Sequence, residues 1–72
     1  MKKFGYLEIV EVLDYPEVKQ LSGQKGVILT DGSYYENDIV YGVLMYSIER
    51  VYMIKSNYLN STGLFEDEAN IY

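Results

Sequence analysis

A chain of 72 residues with eleven acids, six bases and no cysteine or histidine excludes a good deal at once. No disulfide can staple it, zinc and haem lose their usual ligands, and Cys–His catalysis has no members. A net charge of −5 disfavours nucleic-acid phosphate, anionic membrane and heparin as partners.

The length fits one domain, 1–72, with the acidic residues 66–72 expected as a frayed tail. A domain of this size buries roughly 60% of the surface its unfolded chain exposes, so its core is small. Stability has to come from the apolar 49% of residues or from a partner, which keeps a homo-oligomer open. The apolar run near the N-terminus is broken by Glu8 and Glu11, and no segment approaches the roughly 20 apolar residues that span a bilayer. A cytoplasmic protein is expected.

Phe4 to Leu13 is rich in β-branched and aromatic residues, with a slip of phase between Ile9 and Val10, and reads as a strand carrying a bulge or twist. Asp14 to Gly23 reads as a loop, in which Pro16 fixes its own φ and Val18 and Leu21 can fold back over the core. Leu21 to Leu29, with Gly23 and Gly26 ahead of a Val-Ile-Leu run, is the stretch around which the rest is organised. Gly23 is expected to close the loop, and Gly26 to let the second strand, Gln24 to Thr30, pass close to a neighbour.

Asp31-Gly32 favours a turn ending that strand, followed by a loop through Asp38. Ile39 to Ser47, nearly all apolar or aromatic, predicts a strand bent at Gly42, and Arg50 to Lys55 forms a hairpin with it. Ser56 to Asn60 suits one helical turn, Ser61 to Gly63 a reversal, and Leu64-Phe65 a last short strand. The pattern predicts an all-β fold: a small five-stranded SH3-like barrel with one short helical turn before the last strand, closure hiding the strand edges. An OB-like barrel or an open five-stranded meander is the alternative.

Leu21 to Leu29 (LSGQKGVIL) is similar to the entry shared by KOW-type and other SH3-like barrels. Together with Val51 to Gly63 (VYMIKSNYLNSTG), it resembles the bacterial immunity-protein family numbered thirty-one, of polymorphic toxin systems. The resemblance runs from about Phe4 to Phe65. It implies a small SH3-like protein that binds and neutralises a cognate toxin, and it brings no binding residues with it.

The residues themselves point to binding rather than chemistry. No residue is expected to be catalytic, to bind a cofactor or to ligate a metal. The Asp31 to Asp38 loop is rich in oxygen ligands, but their order does not match the EF-hand template. Nine residues are tyrosine, and no lysine or arginine falls between Gly26 and Glu49, so an acidic surface bearing tyrosines is expected there. Tyrosine joins a large apolar face to a polar tip and is enriched at protein interfaces, and an acidic rim steers a basic partner. Core packing accounts equally well for the mid-strand Tyr41 and Tyr46, but not for Tyr34 and Tyr35, in a polar loop. The expected partner-binding set is Tyr34, Tyr35, Glu36 and Asp38, with Asp14, Tyr15 and Glu17 from the earlier loop.

The leading expectation is therefore a non-enzymatic inhibitor that masks a basic protein such as a cognate toxin domain. A small structural or regulatory homo-oligomeric module is the alternative. A KOW-like nucleic-acid domain ranks third, since Lys2, Lys3, Lys19 and Lys25 make a poor phosphate track against this net charge.

Overall fold

The computed structural model describes residues 3–71, apart from the side chain of Asp31; Lys2 and the final Tyr72 lie outside them. Five strands form one antiparallel sheet in the order β4-β3-β2-β1-β5: β1 Glu8–Val12, β2 Lys25–Tyr35, β3 Asp38–Met45, β4 Arg50–Lys55 and β5 Leu59–Phe65. Three short 3₁₀ turns, Lys19–Leu21, Ser56–Tyr58 and Glu68–Asn70, join or follow them. The class is all-β, and the expected helical turn stands before β5.

The sheet is open, which corrects the expectation of a closed barrel. β4 and β5 stand at its two ends. After β4 the chain enters the Ser56–Tyr58 turn, and β5 then pairs with β1 instead of returning to β4. The strand edges are thus left at the ends of the ladder and not sealed against one another.

The core follows from the two-residue period of β3. Ile39, Tyr41, Val43 and Met45 alternate along it, point to one side and meet Val10, Val12, Ile28, Ile54 and Leu59. Leu21 reaches the same cluster from the Lys19–Leu21 turn, with Val18 half-buried beside it, so the loop folds back as its spacing predicts. Burying such a side chain contributes about 1.5–3 kcal/mol. Phe4 packs edge-on to Tyr41, with ring centroids 5.4 Å apart, and its backbone N–H donates to the Tyr41 hydroxyl at 3.0 Å.

Gly23 and Gly26 play their expected parts. Gly23 has φ +80° and donates its N–H to the Val12 carbonyl at 2.7 Å, closing the loop onto β1. Gly26 pairs with Val10 on one side and Met45 on the other. A Cβ there would stand 2.6 Å from Val43 Cγ1 and 2.8 Å from the Leu44 carbonyl, so only glycine lets these strands meet. Opposite Gly42, the Thr30 hydroxyl accepts the Gly42 N–H at 2.8 Å, and the β2–β3 register slips on either side of Thr30. The irregularity opposite Gly42 thus lies in the facing strand, while β3 runs on unbroken through Gly42.

Other boundaries move. β2 does not stop at Asp31-Gly32 but runs to Tyr35, because the slips in register let it stay paired with β3 beyond Thr30. The chain reverses instead at Glu36-Asn37, with φ of 49° and 63°, the two positive angles of a type I′ hairpin turn. β1 begins only at Glu8, since Leu7 has φ 65° and breaks the extended geometry. Ser61 to Gly63 does not reverse the chain. It lies inside β5 and is absorbed by a register shift against β1 between Glu8 and Val10, beside the slip of phase seen in the sequence.

The described residues of the tail make bonds to the sheet and to one another. The Tyr46 hydroxyl donates to Glu66 Oε2 at 2.5 Å and the Tyr6 hydroxyl to Glu68 Oε1 at 3.1 Å. Asp67 caps the last turn by accepting the Ala69 N–H at 2.9 Å, a normal N-cap bond. Asn70 and Ile71 share a cleft with Leu44, Met45, Tyr46 and Glu49.

Candidate partner-binding groove

The β2–β3 hairpin tip, the start of the loop after β1 and the end of β4 converge on one groove of about 480 Å³. Register sets its floor. Ser33 on β2 pairs with Val40 on β3, and Val40 with Lys55 on β4, so the three form one row across the sheet. Two residues further along their strands, Tyr35 and Met53 fall on the same face. Tyr34 and Glu36 line the hairpin side, and Tyr15 and Glu17 the loop side.

Tyr34 and Tyr35 are 70% and 61% exposed, so core packing does not explain them. Their positions follow from the tight Glu36-Asn37 turn, which carries β2 out beyond the core before it reverses. Tyr15 differs: it is only 5% exposed, lies in the core cluster and packs on Tyr58 with ring centroids 5.1 Å apart. Its hydroxyl still reaches the groove and donates to Glu17 Oε2 at 3.2 Å. Burial first, and then the Glu17 charge, push the Tyr15 hydroxyl above its ordinary pKa, so it stays protonated and donating.

Asp38 does not stand on this surface. It is 3% exposed, and its carboxylate accepts from the Ser56 hydroxyl at 2.6 Å, the Ile39 N–H at 2.7 Å and the Asn57 N–H at 3.3 Å. The Ser56 bond above all, opposed by burial and helped by the two amides, holds its pKa below the usual value. Asp38 thus clips the turn before β5 to the start of β3 and underpins the groove from within. Asp14 is exposed but is not among the residues lining the groove.

Lys55 is the residue that sequence reasoning missed. Its ammonium lies 3.4 Å from Glu36 Oε1 and 5.6 Å from the Tyr35 ring centroid. Desolvation lowers its pKa, but the Glu36 bond and charge, with the Glu17 charge behind them, outweigh this and leave it raised. The stretch without bases between Gly26 and Glu49 predicted a uniformly acidic surface, yet β3–β4 pairing carries a cation into it. The available signal was the hairpin register, which sets Lys55 opposite Val40.

The groove therefore offers two open tyrosine faces, an apolar floor of Val40 and Met53, and two carboxylates around one paired cation. No family model, curated protein or solved structure matches the chain.

Proposed function

We propose that this protein is a non-enzymatic binding module, and that it acts as an immunity-type inhibitor masking a basic partner protein through this groove. The observation that carries the reading is the exposure of Tyr34 and Tyr35 beside Glu17 and Glu36, where core packing does not account for them. Rigid tyrosines supply contact area at low entropic cost, and a protein of net charge −5 steers a basic partner toward itself. The partner surface comprises Tyr34, Tyr35, Glu36 and Glu17, with Val40, Met53 and Lys55 as its floor. Tyr15 and Asp38 hold it in place.

The fold that goes with this reading is SH3-like. The strand order, the 3₁₀ turn between β4 and β5 and the register shifts of β2 against β3 support it. The resemblance of Leu21 to Leu29 and Val51 to Gly63 to the immunity-protein family points the same way.

The test is capture from lysate of the source organism with tagged protein, with and without nuclease, read by mass spectrometry. One stoichiometric basic protein that survives nuclease supports the reading and names the target. Nuclease-sensitive material alone, or nothing, contradicts it. A second reading, self-association, rests on Val51 and Met53, which are exposed on the strand that ends the sheet. Light scattering at micromolar concentration separates it, since an inhibitor has no need of a second copy.

A further inference from the structure

The groove already contains a cation. The Lys55 ammonium lies within cation–π range of the Tyr35 ring and beside the Glu36 carboxylate. It is held loosely. A charge-assisted bond of this kind is ordinarily about 2.7–2.9 Å long, against the 3.4 Å seen here. The Glu36 side chain is largely exposed, and the Lys55 stem is long and flexible. Glu17, on the far wall, affects Lys55 by its charge while one of its oxygens accepts from Tyr15.

We infer that Lys55 is an internal stand-in for an arginine of the partner, which enters the groove against the Tyr35 ring and the Glu36 carboxylate, with Glu17 on the facing wall, and displaces the lysine from Tyr35 and Glu36. The inference rests on the partner-binding reading above and names the side chain the groove receives. Arginine fits better than lysine for geometric reasons. Its guanidinium is planar and weakly hydrated, stacks on an aromatic face and offers five donors in a rigid fork. Such a group has donors to spare for a second carboxylate, whereas the Lys55 ammonium pairs with Glu36 alone among the described residues. The released lysine turns outward into solvent, where its charge is rehydrated. Lys55 thereby competes with the ligand, and the groove stays closed to weakly matched cations.

The test needs no partner protein. N-acetyl-arginine methylamide is titrated into the 15N-labelled protein and followed by the backbone amides of Tyr34, Tyr35, Glu36 and Glu17. N-acetyl-citrulline methylamide, similar in shape but uncharged, is the control. Binding should be weak in the native protein and about fivefold tighter in Lys55→Met, where the competitor is gone. Adding Glu36→Gln to that variant should return the affinity to the native level or below, and citrulline should leave the four amides unmoved. Lys55→Gln repeats the test if Lys55→Met loses its fold, as checked by circular dichroism. Equal or weaker arginine binding after removal of Lys55, or an equal response to citrulline, overturns the inference. A protein partner captured from lysate without any arginine response overturns it while leaving the proposed function intact. An arginine response at these amides with no partner captured supports this site and overturns the proposed function.

Discussion

The two ends of β3 treat their aromatic neighbours in opposite ways. Beyond Met45, Tyr46 is tied to the tail: its hydroxyl bonds Glu66, and Asn70 and Ile71 share a cleft with it. Before Asp38, Tyr34 and Tyr35 are left open, and the hairpin carrying them reverses in the shortest way available. One end is closed by the chain itself, and the other is built, through Asp38 and Ser56, to stay in shape while remaining uncovered. The contrast separates a tyrosine tied into the fold from one left exposed, which the proposed function assigns to a partner. A tyrosine of the first kind has its hydroxyl bound inside the fold.

The comparison can be broken or sharpened by substitution, and the largest effect comes from the core that both ends share. Ile54→Ala should destabilise by about 2–5 kcal/mol and disturb both ends alike, read as a single cooperative melt at much lower temperature. Asp38→Ala should cost about 1–3 kcal/mol, because it leaves the Ser56 hydroxyl and two amides without their acceptor. Its effect should be local to the groove: hydrogen exchange at Asn57 and Ile39 speeds up, while the tail keeps its protection. Since the Asp38 pKa is lowered in the folded state from an ordinary 3.8, its contribution is complete above about pH 4 and lost as pH falls further. The gap in stability between the native protein and Asp38→Ala should close in acid.

Tyr46→Phe should act on the other end, releasing Glu66 to Asn70 to faster proteolysis with only a small fall in melting temperature. The native latch has its own pH window. Burial and the Glu66 bond raise the Tyr46 pKa from 10.0 to about 12, so its contribution is full below pH 10 and lost as pH rises through 12. The Tyr46 bond, with those from Asn70 and Asp67, lowers the Glu66 pKa from an ordinary 4.5, so the latch also weakens as pH falls below that value. Protection of the tail should therefore be flat between about pH 5 and 10 and decline on either side, and Tyr46→Phe should remove the alkaline limb, while the Asn70 and Asp67 bonds keep an acid one. The smallest change in stability belongs to Tyr34→Ala with Tyr35→Ala, within about 0.5 kcal/mol for each exposed site.

What the sequence revealed follows the same division. Local physics was legible: Gly23 and Gly26 ahead of Val27, the alternation along Ile39 to Met45 and the turn at Ser56 are each decided by neighbours in the chain. The exposure of Tyr34 and Tyr35 was legible too, because no core requirement explained them. Pairings across long separations were not. Asp38 looks like a surface acid until Ser56, eighteen residues on, donates to it. Lys55 looks like the end of a strand until the register sets it beside Tyr35 and Glu36. Asp31-Gly32 carried a stronger turn signal than Glu36-Asn37, yet the latter makes the turn because the register slips let β2 continue alongside β3. Tyr46 and Glu66 meet only once β5 has returned the chain to the far end of β3.

The central claim is that Tyr34 and Tyr35 are held for a partner and not for the fold. The most direct test measures, side by side, the melting temperature and the nuclease-treated lysate capture of the native protein and of Tyr34→Ala with Tyr35→Ala. The account predicts melting temperatures within a few degrees and a basic protein captured by the native chain alone. Equal capture by both proteins, or a variant that melts far below the native chain, would contradict it.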